Sequence, residues 1–141
     1  MRLPGTTPAA PDDKGDVDPA LAPLLASATT REVGVALLQA RVLVPVVALK
    51  ASGESDMAVP ALVNADGRRA LPVFSSYDAL RAWNADSRPV PMSGARVIAA
   101  AVGEGYDGVV LDLAGPHPHT LSGEDLTVLA DAASKLKHHF A

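Results

Sequence analysis

The chain has 141 residues, a formal net charge of −4 and no cysteine, and its aromatics amount to one Trp, two Tyr and two Phe. A domain of this length buries roughly 68 to 70 per cent of its unfolded surface, so one cooperative domain with a real core is expected. The acidic balance removes the counterion-release term that drives nucleic-acid binding, and the lack of cysteine excludes disulfides, thiolate metal sites and thiol nucleophiles.

Residues 1–17 combine Pro, Gly, Thr, Asp and Lys with almost no large apolar side chain, a composition that cannot offset the entropy of ordering; a disordered tail is expected there, with the domain running from 18 to 141. The start also lacks the continuous apolar stretch of a signal peptide. The longest apolar run, Val42 to Leu49, is far short of the roughly 20 residues that span a bilayer, so a soluble, cytoplasmic protein is expected.

Asp18 before Pro19 reads as an N-cap with an N1 proline, opening a short helix with Leu21, Leu24 and Leu25 on one face. A second helix is predicted after Thr29 or Thr30, with Val33, Leu37 and Leu38 facing inward. VLVPVVAL (42–49) reads as a strand covered on both faces, followed by a polar loop, KASGESD. MAVPALV (57–63) and RALPVFS (69–75) flank Asp66-Gly67, a hairpin signal. Ser75 or Ser76 then caps a helix containing Tyr77, Leu80 and Trp83. PVPM (89–92) is a short strand, and Ser93 caps a helix with Val97, Ile98, Ala101 and Val102 in one stripe. DGVVLDL (107–113) is the next strand, reached by what reads as a right-handed parallel crossover. HTLS returns as a hairpin arm, and Ser122 with Asp125 opens a last helix with Leu126, Leu129, Ala133, Leu136 and Phe140 at helical spacing. Lys135, Lys137, His138 and His139 favour its negative C-terminal end. The expected fold is α/β (α+β): a mixed sheet of about five to six strands flanked by helices.

LVPVV, AVPAL, ALPVF and VPM each place a proline in or beside an apolar run. Proline has no N–H for a ladder, so it is confined to edges, bulges and positions where that donor is not needed. A five-residue loop, Asn64 to Arg68, would close on Val63 and Arg69 and set Pro60 opposite Pro72 at a non-hydrogen-bonded position. The prolines then limit the edges of the sheet. A peptide groove is the other reading, with side-chain pockets carrying recognition.

The order of the LVPVV strand, a polar loop, SDMAVPALVNADGRRALPVFSSYDALRAW and then VVLDLAGP resembles the SseB N-terminal domain family, of the enhanced-serine-sensitivity type seen in actinobacteria, from about residue 20 to the end. The ALPVFSS step into a helix with Trp83 carries the likeness; relatives usually have Thr in place of Ser75, and either hydroxyl can cap. The secretion-system translocator that shares the name is a different kind of protein. The resemblance implies an α/β domain with no catalytic residues to carry across.

LDLAGPHPHTLSGED gathers Asp112, His117, His119, Glu124 and Asp125. Imidazole and carboxylate suit zinc. With AGPH as the turn, Asp112 would face His119 across two strands while His117 sits in the loop, and Glu124 and Asp125 suit a helix N-terminus. No G-x-S-x-G elbow is present, and Ser55 lies beside Glu54 and Asp56, which oppose an alkoxide. Gly103 and Gly105 lead into a strand, the reverse of a dinucleotide fingerprint. Arg68, Arg69, Phe74, Tyr77 and Trp83 have the composition of a binding hot spot. The reading that follows is a non-catalytic module without a cofactor, acting through contacts with another protein at that corner; homo-oligomerisation stays open. The alternatives are a metal-binding protein or enzyme using Asp112, His117 and His119, and an accessory to translation that contacts a ribosomal or factor protein.

Overall fold

In a computed structural model that describes residues 14–48 and 57–140, four helices pack on seven strands. The elements are α1 (Thr30–Leu37), β1 (Arg41–Ala48), β2 (Met57–Ala58), β3 (Leu62–Val63), β4 (Arg69–Val73), α2 (Tyr77–Trp83), β5 (Arg88–Ser93), α3 (Gly94–Gly103), β6 (Gly108–Leu111), β7 (His119–Ser122) and α4 (Gly123–Phe140). The strands form two sheets, ordered β2-β1-β5 and β3-β4-β6-β7. All pairs are antiparallel except β4 with β6. The mixed α/β architecture is as expected; the strands are more numerous and divided between two sheets. Residues 1–13, the loop 50–56 with Ser55, and the side chains of Leu136, Lys137, His138, His139 and Phe140 lie outside the described part.

Strand β1 is buried on both faces, as its unbroken apolar run requires. Val42, Val44 and Val46 enter the main core with Leu71, Val73, Val109 and Leu121 and with residues of α1, α3 and α4, including Leu37, Ile98 and Leu129. Leu43, one step out of phase, points the other way and packs with Phe74 and Leu80 beneath α2. A period of two along each strand therefore sorts side chains into two layers.

Several helix signals act as their sequences suggest. Thr29, Ser76 and Ser93 are N-caps, accepting from the amides of Glu32, Ala79 and Arg96. Others differ. Residues 19–27 form consecutive turns in place of a helix: Leu21 N–H donates to Asp18 O (2.8 Å) and Leu24 N–H to Leu21 O (2.9 Å), and Pro23, without an N–H, cannot extend them. Val102 is exposed, outside the buried stripe of α3. Strand β5 pairs with β1 in the other sheet, so the parallel neighbour of β6 is β4, and the crossover contains α2, β5 and α3.

The prolines account for the division into two sheets. Leu43 and Phe74 exchange both backbone hydrogen bonds (2.8 and 2.9 Å), forming an isolated bridge between β1 and β4. Donors alternate sides along a strand, so odd-numbered residues of β1 face β4 and β2 while even-numbered ones face β5. Pro45 opposite Pro89 and Leu43 opposite Pro91 are then non-hydrogen-bonded pairs, and no bond is lost from that seam.

On the other side of β1, Pro45 falls between Leu43, bound to Phe74, and Val47, paired with Ala58. In β4, Pro72 falls between Ala70, paired with Leu62, and Phe74, bound to Leu43. Pro60 sits where the chain leaves β1 and joins β4. The three prolines thus occupy the three sides of one gap where strand segments part. The loop closes on Val63 and Arg69 as expected, but Asn64 N–H donates to Arg68 O (3.0 Å), which sets the opposite hydrogen-bond phase from the one expected. Pro60 and Pro72 would then meet at a bonded position with neither donor, and the ladder stops at Leu62 and Ala70.

Candidate functional site

An open cleft of about 370 Å³ lies at the C-terminal ends of the parallel strands β4 and β6, between the start of α2 and the β6–β7 loop. Ser75, Ser76, Asp78 and Ala79 form one wall; Asp112 and residues 114–117 form another, and Leu25 closes the end. The ends of parallel strands are where open α/β sheets place their ligands, because connecting loops diverge there.

Asp112 is buried and is the one non-glycine residue at positive φ among the described residues, at 55°. Aspartate tolerates this conformation better than most residues. Its surroundings fix it: the Ser75 amide donates to Oδ1 (2.7 Å) and the Ser75 hydroxyl to Oδ2 (2.6 Å), while Asp112 N–H donates to Val73 O and Gly115 N–H to Asp112 O. The carboxylate is a structural acceptor joining the ends of two strands. Ser76 alone caps α2; Ser75 has this other role.

His119 pairs with Leu111, so Asp112, the expected cross-strand partner, lies one residue beyond the pair. The imidazole turns toward the N-terminal turns, with Nε2 2.9 Å from Leu25 O and Nδ1 3.0 Å from Thr30 Oγ1. A carbonyl only accepts, so Nε2 carries a proton; in the neutral ring Nδ1 accepts from the threonine hydroxyl. His117 is exposed at the cleft rim. The expected trio of Asp112, His117 and His119 therefore does not converge, and no group of three or more His, Cys, Asp or Glu among the described residues could hold a metal ion. Asp125 pairs with Arg31 at 3.2 Å across to α1, and Glu124 and Asp125 both lie in the first turn of α4.

The expected hot spot divides along β4. Arg68 is exposed in the hairpin loop. Arg69 turns to the α3–β6 connection, where its guanidinium lies 4.8 Å over the Tyr106 ring and donates to Glu104 O (3.0 Å). Burial pushes the Tyr106 phenol pKa up, Glu104 adds to this, and the Arg69 charge opposes it. At the opposite end, Phe74 is wholly buried and stacks on the half-buried Trp83 with ring centroids 5.5 Å apart. Tyr77 is 38 % exposed, and Arg81, four residues on, lies 5.5 Å over its ring. Sequence reasoning missed Arg81, although the i, i+4 spacing on a predicted helix was the signal for it.

The family model described as SseB protein N-terminal domain matches residues 17–127, which contain the whole cleft. The chain belongs to the SseB N-terminal domain family. No curated protein and no solved structure matches it. Residues 17–127 include the Ser75–Asp112 link, the His119 contacts and all of α2.

Proposed function

We propose that this SseB domain is a non-catalytic module that works by binding another protein, and that the exposed side of α2 beside the cleft is its contact surface. The observation that carries this reading is the pairing of an exposed aromatic with a guanidinium, Tyr77 with Arg81, next to a concavity lined by Ala79, Leu25 and Pro116. Tyr and Arg give much of the energy of protein interfaces when they flank a pocket that excludes water. The buried groups nearby that would serve acid, base or nucleophile chemistry support it as well: Asp112 and Ser75 are bonded to each other, and both nitrogens of His119 have internal partners.

The test is quantitative capture of partners on the full chain and two double variants. Tyr77→Ala with Arg81→Ala should reduce the captured partner about tenfold or more, the loss expected for a pair of hot-spot residues. Arg68→Ala with Arg69→Ala, at the far end of β4, should leave it unchanged. Equal capture by the wild type and the α2 variant would reject this surface.

A further inference from the structure

Residues 15–17 were expected to belong to a disordered tail and Asp18 to open the domain as an N-cap, yet residues 15–18, Gly-Asp-Val-Asp, lie together as a strap across the start of β1 and α2. Gly15 O accepts from Tyr77 N–H (2.8 Å). Asp16 O accepts from the Arg41 guanidinium, whose other nitrogen donates to Ser75 O (3.2 Å). Val17 packs against the main core, and Asp18 Oδ2 accepts from Arg41 N–H (2.8 Å). Recognition is by main-chain acceptors, one apolar side chain and one carboxylate. This is how a protein groove holds an extended peptide.

The strap is also cut to fit at one point. Gly15 has φ +78°, and a Cβ there would come within 2.6 Å of Tyr77 Cβ. The occupied groove reaches the residue proposed above as part of the docking surface. Tyr77 N–H belongs to the first turn of α2, where a helix supplies no acceptor of its own, so its bond to Gly15 O depends on the strap.

We propose that the groove formed by Arg41, Ser75 and Tyr77 is a receptor for a segment of the type Gly-Asp-Val-Asp, read by its main-chain carbonyls and by the carboxylate of its last residue, and that residues 15–18 occupy it as an intramolecular competitor of such a segment on a partner. The inference rests on α2 being the docking surface and adds the chemistry of what docks. A segment binding in trans must displace the strap, so its apparent affinity falls by the fraction of time the groove is open.

The probe is a fluorescent peptide of sequence GDVDPA, titrated into the full chain and its Gly15→Ala variant, with amide exchange at Tyr77 followed in both. The variant should bind the peptide at least about tenfold more tightly than the wild type, and its Tyr77 amide should exchange faster. A peptide with the second aspartate, the counterpart of Asp18, replaced by serine should bind neither protein. Asp18→Asn, which weakens a different anchor, should shift both readouts in the same direction. Faster exchange in the variants without tighter peptide binding would overturn the proposal, as would unchanged exchange in both. Because the peptide is titrated into purified chain, its failure together with loss of partner capture by the α2 variant would reject the strap alone.

Discussion

Ser75 holds both carboxylate oxygens of Asp112, one with its amide and one with its hydroxyl, and so ties the end of β4 to the end of β6. Removing the hydroxyl leaves Oδ2 of a buried carboxylate without its donor. Ser75→Ala should destabilise the domain by about 1 to 3 kcal/mol, whereas Ser75→Thr should retain most of the stability. Urea unfolding of the two variants checks this, and an alanine variant as stable as the wild type would show that the link is dispensable.

Gly94 opens α3 where it crosses the end of α1, and a Cβ there would stand 1.8 Å from Leu37 O. Backbone cannot yield as a side chain does. Gly94→Ala should cost about 3 kcal/mol or more, at the upper end of overpacking effects. Gly34→Ala meets the movable ends of Leu129 and Leu121 at 2.8 and 3.0 Å and should cost clearly less. Thermal melts of the pair give the ranking, and equal loss would contradict it.

Strand β5 ends its sheet among the described residues, and its outward-facing donors fall at the phase occupied by Pro89 and Pro91. That edge cannot donate to an incoming strand at either position. Replacing both prolines with valine should restore the donors without disturbing the seam to β1 and increase self-association. Sedimentation velocity over a concentration series reads the effect; a double variant as monodisperse as the wild type would count against the edge argument.

The Asp18 pKa lies below the usual carboxylate range, chiefly because Arg41 N–H and then Ala20 N–H donate to the carboxylate; burial opposes the shift and the Arg41 charge assists it. A pKa depressed in the folded state contributes stability that is fully present above the unfolded value and disappears as pH falls through the folded one. The stability gap between the wild type and Asp18→Asn should therefore narrow on acidification below the ordinary aspartate range. A gap independent of pH between neutrality and strong acid would refute the linkage.

Much of the fold could be read because local chemistry and tertiary structure agree. Thr29, Ser76 and Ser93 cap helices by contacts three residues long, and the run 42–46 is apolar on both faces because both are covered. What could not be read depends on phase or on distant partners. The proline register turned on whether Asn64 and Arg68 or Val63 and Arg69 carry the closing bond, a choice of one residue that inverts every pairing behind it. Ser75 and Asp112 are 37 residues apart, and nothing local marks either as the other's partner. The strap was missed because composition argues about average burial, while residues 15–18 are held by a few directed bonds to Arg41 and Tyr77.

The gap bordered by Pro45, Pro60 and Pro72 leaves the isolated bridge between Leu43 and Phe74 as the backbone joint between β1 and β4. A joint of one residue pair resists separation but hardly resists twisting, unlike a ladder several rungs long. The two sheets are thereby pinned at one backbone point, and it is the side chains they share in the main core, Val42, Val44 and Val46 with Leu71 and Val73, that keep them from swivelling about it.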